Sequence, residues 1–168
     1  MDKSLAFFVK GQPKPQPRHR AIPFVKPHAK NMLARDLKPI CDMGTRMVLP
    51  GRGEAKYTVH DWKDIIIAEA FAAKIGAYMR DPISGAVKLS LVFRMHRPKY
   101  MSHKKYDPGR IPHICTPDRD NLEKAVMDAL TNAKLWKDDC IVFDGPIGKW
   151  YHAIGEDAGV EIRLEWEE

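Results

Sequence analysis

Val87, Leu89, Leu91, Phe93 and Met95 occupy alternate positions, with Lys88, Ser90 and Arg94 between them and Val92 as the one apolar exception. Alternation of this kind puts the apolar set on one face of a pleated strand, so residues 86–95 predict a half-buried β-strand. The same period returns at residues 159–166, where Val160, Ile162 and Leu164 alternate with Glu161, Arg163 and Glu165. Residues 5–9 form a short apolar run containing Phe7, Phe8 and Val9, which reads as a buried strand. Between residues 61 and 80 the pattern becomes helical. Ile67, Phe71, Ile75 and Met79 recur on one face, with Ile66 and Ala70 beside them. Asp61 is the predicted N-cap, and Asp81-Pro82 with Gly85 end the helix. A second helix is predicted from Asp120 to near Ala133, with Leu122, Ala125, Val126, Ala129 and Leu130 inward. Shorter strands are expected at 140–143 and 149–154.

Between these elements lie segments without a period. Pro13, Pro15 and Pro17 stand at every second position after Gly11, which excludes a helix or a central strand and predicts an extended arm. Residues 21–60 hold Pro23, Pro27, Pro39, Pro50, Gly44, Gly51 and Gly53 and read as a loop-rich insertion, with room for a short helix at 31–37. Residues 96–113 read as a polar, basic loop. The order predicts one α+β domain over residues 1–168: a two-layer sandwich of a mixed sheet with helices mainly on one face.

Charge changes the picture. Of the 168 residues, 28 are Lys or Arg and 22 are Asp or Glu, for a net +6. The excess is local: residues 1–60 hold 12 basic and 4 acidic side chains, whereas 61–168 hold 16 and 18. A basic first third suits a polyanionic partner, although a solubilising bias gives the same composition. No apolar run approaches the roughly 20 residues that span a bilayer, so no membrane partner is expected. Three cysteines, Cys41, Cys115 and Cys140, form no CxxC pair, which argues against a disulfide scaffold and fits a reducing cytoplasm.

The densest chemistry lies in Thr116-Pro117-Asp118-Arg119-Asp120-Asn121-Leu122-Glu123-Lys124, followed by Lys137-Asp138-Asp139. Carboxylates two apart at an extended-to-helix turn can converge, and a strand after Asp139 paired beside this segment would bring a third. Convergent carboxylates repel unless a cation lies between them, and oxygen-only ligation favours Mg²⁺ or Mn²⁺. The same residues also have ordinary structural roles. Asp120 is a competent N-cap, Lys124 pairs with Asp120 and Asp128 at i,i+4 spacing, and Asp138-Asp139 suit a turn.

The pattern Pro117-Asp118-x-Asp120-Asn121-x-x-Lys124, then Asp128-Ala129-Leu130, then Leu135-Trp136-Lys137-Asp138-Asp139, resembles the signature of the RusA family of Holliday junction resolvases. Val9-Lys10-Gly11-Gln12-Pro13-Lys14-Pro15-Gln16-Pro17-Arg18 resembles that family's first strand, Gly-x-Pro turn and basic arm. The resemblance spans residues 5–20 and 86–165. It implies a small homodimeric, divalent-metal-dependent endonuclease, bacterial or phage-encoded, that cuts four-way DNA junctions by paired nicks and needs no nucleotide cofactor. By position it implies Asp118, Asp120 and Asp139 as essential carboxylates and metal ligands, Asp138 as a lesser ligand, and Lys124 as the essential lysine. Lys134 stands where members of the family often have glycine after the helix.

With a nuclease in view, Lys10, Lys14, Arg18 and Arg20 on the arm become candidate phosphate contacts. Lys99, Lys104, Lys105 and Arg110, interleaved with Tyr100 and Tyr106, form a second candidate DNA surface. His96, His103 and His113 match no ligand spacing and read as solvent-facing loop histidines. Cys115 and Cys140 read as small core residues, and Trp136 and Trp150 as packing against the sheet. Two other functions remain open: a broader nuclease acting on flaps or other branched DNA, and a non-catalytic branched-DNA-binding protein.

Overall fold

In chain order the elements are β1 (Asp2–Lys10), β2 (Arg20–Val25), β3 (Met43–Val48), α1 (Val59–Gly76), β4 (Val87–Met95), β5 (Ile111–Pro112), α2 (Arg119–Asn132), β6 (Val142–Asp144), β7 (Ile147–Tyr151) and β8 (Gly159–Glu167). They come from a computed structural model that describes residues 2–17, 20–25, 43–48, 57–102, 106 and 108–167. The chain divides into two units, Met1–Gln16 with Lys56–Glu168, and Pro17–Ala55.

The first unit is an α+β fold built on a mixed six-stranded sheet in the order β1-β8-β4-β7-β5, with β6 also paired to β4. β8 lies antiparallel between β1 and β4, with Leu164 facing both Leu5 and Leu89, and Val160 facing both Val9 and Phe93. The alternating positions read from the sequence therefore share one face. Val87, Leu89, Leu91, Phe93 and Met95 are buried with Val160, Ile162 and Leu164, and a fully buried Phe93 or Leu91 contributes about 1.5–3 kcal/mol. α1 and α2 pack on each other, α1 on β1 and α2 on β7. All five predicted inward positions of α2 are buried. Among the described residues no helix is long and apolar enough to cross a membrane.

β6 and β7 run parallel to β4 in succession, with β6 against Val87 and Lys88 and β7 from Leu91 to Met95. Gly145 makes the break between them. Its φ is +145° and a Cβ there would sit 1.8 Å from the Leu89 carbonyl oxygen. Residues 140–143 and 149–154 were the expected strands. Val142 and Phe143 do lie in a strand, β6, but residues 139–141 form a 3₁₀ turn, and pairing with β4 carries β7 from Ile147 to Tyr151.

Helix α1 differs from expectation at both ends and in its face. Thr58, not Asp61, is the N-cap. Asp61 is the third residue of a capping box, its carboxylate accepting from the Thr58 N–H at 2.6 Å. Those bonds hold the Asp61 carboxyl below the usual range. The helix ends at Gly76. The buried line is Trp62, Ile66 and Ala70, while Phe71 is 43% and Ile75 74% exposed. The apolar residues of α1 span more than one face, and packing on β1 and α2 selects the line headed by Trp62.

In the second unit β2 and β3 pair antiparallel, Arg20 opposite Val48 and Val25 opposite Met43. The segment read as loop-rich thus contains two strands. Pro23 and Gly44 had argued against them, but a two-stranded ribbon is all edge and tolerates both. The helix expected at 31–37 lies outside the described residues.

Candidate active site

The acidic motif is reached through a short segment pinned to the sheet. After β5, the His113 N–H donates to the Lys149 carbonyl at 3.1 Å. Lys149 Nζ in turn donates to the carbonyls of Cys115 at 2.6 Å and Pro117 at 2.7 Å. The Thr116–Pro117 peptide is cis. Asp118 follows in extended geometry as the N-cap of α2, and its side chain makes no capping bond. The helix therefore begins one residue earlier than predicted, and Asp120 lies in its first turn, where the helix dipole favours negative charge. Both carboxylates are exposed.

Asp138 and Asp139 enter from the other end of the helix. The Asp138 carboxylate caps the 3₁₀ turn, accepting from the Cys140 N–H at 2.9 Å, and that bond holds its carboxyl below the usual range. The same carboxylate pushes the Cys140 thiol up. β6 pairs with β4 rather than with the segment before α2. Asp139 instead comes to α2 because the 3₁₀ turn itself packs on that helix.

A cavity of about 430 Å³ lies against α2, and its walls include Lys124, Asp128, Asp138, Asp139 and Lys63. Lys63 Nζ donates to Asp128 Oδ2 at 2.8 Å, and Lys124 Nζ lies 3.5 Å from Asp128 Oδ1. Lys124, Asp138 and Asp139 were expected together and are together. Asp118 and Asp120 belong to the same helix but do not line this cavity. Sequence reasoning missed Lys63, and it saw Asp128 as part of the family-like signature and as a partner in a helix-surface pair, without a role at the site. No local signal marks Lys63, which stands 65 positions before Asp128.

Among the described residues no three His, Cys, Asp or Glu side chains converge to hold a metal ion between them. The available donors are hard carboxylate oxygens, which suit Mg²⁺, an ion commonly held by one or two carboxylates with waters and substrate phosphates. The donor chemistry fits such an ion, and the geometry limits how many carboxylates of one chain reach it together.

The basic arm runs past the acidic helix. The Gly11 N–H donates to the Ala158 carbonyl at 2.9 Å, and the Gln16 N–H donates to the Asn121 carbonyl at 2.8 Å, on the first turn of α2. Lys10 pairs with Asp157 at 2.8 Å, and Lys14 lies 5.5 Å from the centre of the Tyr57 ring. The side chains of Arg18 and Arg20 lie outside the described residues, as do Lys104, Lys105 and His103. Arg110 is ion-paired with Glu156 and Glu161, and Tyr100 meets Tyr106 edge-on.

Two readings of single residues are corrected. His113 is buried against Tyr151, not solvent-facing, and burial together with the Lys149 charge pushes its pKa down. Cys115 and Cys140 are exposed, because each lies in a bend or turn outside the sheet. His96 lies exposed with its ring 5.6 Å from that of His152. Trp136 is fully buried, its Nε1 donating to Thr131 Oγ1 at 2.7 Å, while Trp150 is half-buried.

Comparison with known proteins adds one finding. A family model described as endodeoxyribonuclease RusA matches residues 44–165. Residues 5–20 lie outside the match. No curated protein matches the chain.

Proposed function

The chain belongs to the RusA family of endodeoxyribonucleases, and from that premise we propose that it is a divalent-metal-dependent nuclease of branched DNA, cutting four-way junctions as a homodimer in recombination or repair. The observation that carries this reading is the meeting of Lys124 with Asp138 and Asp139 at one cavity, against the helix that has Asp118 as its N-cap and Asp120 in its first turn.

In this reading Mg²⁺, or Mn²⁺ in its place, would be held by one or two at a time of Asp118, Asp120 and Asp139, with waters and substrate phosphate completing its shell and Asp138 in a lesser part. A bound divalent ion lowers the pKa of water and stabilises charge on a phosphoryl oxygen. Lys124 presents its ammonium to the scissile phosphate and offsets the negative charge that grows there. Asp138 stays ionised while capping its turn and so fixes the backbone that places Asp139. The arm, docked by Gln16 on Asn121, would present Lys14, with Lys10 at the end of β1, to the DNA backbone. In a homodimer, two such sites related by a dyad match the two equivalent phosphates of a four-way junction.

The test is a gel assay on a labelled four-way junction, with duplex and flap controls, in Mg²⁺ or with chelator. Paired nicks on the junction alone, lost on chelation, are the expected result. Asp120→Asn is expected to bind the junction as tightly as the parent and to leave it uncut. Nicks on flaps or duplex as well would mean a broader nuclease, and binding without nicks under either metal would mean a binding protein.

A further inference from the structure

We propose that Asp128 is a positioning residue that sets the place of the Lys124 ammonium, with Lys63 of α1 anchoring Asp128 from the opposite side. This rests on the reading of Lys124 as the cation that faces the scissile phosphate.

The carboxylate of Asp128 is divided between two lysines. Oδ2 accepts from Lys63 Nζ at 2.8 Å, and Oδ1 lies 3.5 Å from Lys124 Nζ, one helical turn away. Side-chain exposure rises along the series, from 14% at Lys63 to 26% at Asp128 and 61% at Lys124. The charges therefore run from the interface of the two helices out to the cavity mouth.

An isolated i,i+4 pair on a helix surface restrains a lysine weakly, because both flexible side chains lose entropy in pairing. Here the acidic partner is already fixed. The charge-assisted bond from Lys63 is short, half-buried and made across two packed helices. With Oδ2 taken by Lys63, Oδ1 is left toward Lys124. Asp138 and Asp139 line the same cavity and are the other carboxylates toward which the Lys124 ammonium would be drawn. Asp128 opposes that pull, keeping Lys124 on the α2 side, where an incoming phosphate meets it. Lys63 also balances the Asp128 charge, so Lys124 is held without being neutralised by a lone carboxylate.

The experiment is single-turnover cleavage of a synthetic four-way junction in Mg²⁺, with thermal unfolding measured for every variant. Asp128→Asn is expected to lower the cleavage rate constant about 10- to 100-fold, as misplaced catalytic groups do, while half-saturation changes less than about threefold. Asp128→Glu is expected to recover part of the loss. In a Lys124→Met background, Asp128→Asn is expected to have no further effect, because its action passes through Lys124. Lys63→Met leaves the carboxylate but releases it, and a loss of about threefold to tenfold is expected.

A readout independent of cleavage is the NMR spectrum of the lysine ammonium groups, in which Asp128→Asn is expected to shift both the Lys63 and Lys124 signals. Full activity of Asp128→Asn, equal losses in the two backgrounds, or an unmoved Lys124 signal would overturn the proposal. Parental cleavage by Lys124→Met would instead overturn the reading of Lys124 on which it rests.

Discussion

Lys149 on β7 donates a 2.7 Å hydrogen bond from Nζ to the carbonyl of Pro117, the residue immediately before Asp118. The same ammonium holds the Cys115 carbonyl at 2.6 Å. A strand of the sheet thereby fixes where the acidic turn begins. Bonds of this charge-assisted kind are stronger than neutral ones, at about 1.5–3 kcal/mol each.

Replacing Lys149 with Met removes both bonds without touching a proposed ligand. Junction cleavage is expected to fall about tenfold or more, with binding changed much less, because a small displacement of a catalytic group is costly. Lys149→Arg keeps a donor and is expected to retain more activity. Parental cleavage rates in Lys149→Met would show that the turn holds its place without the strand.

The two helices end alike. The Met79 N–H donates to the Lys74 carbonyl and the Tyr78 N–H to Ile75. In the same way Leu135 donates to Leu130 and Lys134 to Thr131. Both ends are Schellman motifs, and the residue past each cap is left-handed, at φ 54° for Tyr78 and 57° for Lys134. A non-glycine residue there carries a penalty of about 1–2 kcal/mol. Lys134→Gly is therefore expected to stabilise the protein by about 1 kcal/mol, raising Tm by roughly 2–4 °C in a calorimetric scan. An unchanged or lower Tm would argue against strain at that position.

Gly145→Ala is expected to act in the opposite sense. The added methyl would lie 1.8 Å from the Leu89 carbonyl oxygen, on a backbone with φ +145°. Because the clash is with backbone of the central strand, no rotamer change relieves it. A loss above about 4 kcal/mol is expected, in the range of exceptional substitutions, and urea unfolding measures it directly.

The Arg110–Glu156 pair sets a pH dependence. Hydrogen bonds from Arg110 hold the Glu156 carboxyl at about 2, against an ordinary 4.5. Glu161 is also lowered: burial raises it, but Arg94 and Arg110 outweigh that effect. Between these values the unfolded chain binds more protons than the folded one, so stability is complete above about pH 4.5 and falls as pH drops toward 2. Urea midpoints measured across that window are expected to decline, and Glu156→Gln is expected to flatten the decline.

What could be read before the fold was known followed locality. The alternation at residues 87–95 and the inward positions of α2 were legible because period alone dictates which side chains share a face. The acidic motif was legible as a motif, yet its N-cap moved from Asp120 to Asp118, since Pro117 and the Lys149 bonds decide where the helical turn starts. The face of α1 was misjudged for a related reason. Ile67, Phe71 and Ile75 form as good a stripe as Trp62, Ile66 and Ala70, and only packing on β1 and α2 selects between them.

Period, turn chemistry and motif spacing act over a few residues, and they suffice for β1, β4, β8, the inward face of α2 and the Asp118 to Lys124 motif, but not for β2, β3 or the face of α1. The division of Asp128 between Lys63 and Lys124, the Lys149 clamp on Cys115 and Pro117, and the burial of His113 join residues far apart in the chain. They arise only when α1 packs on α2 and β5 pairs with β7, because ion pairs and buried polar contacts are set by which surfaces meet in space.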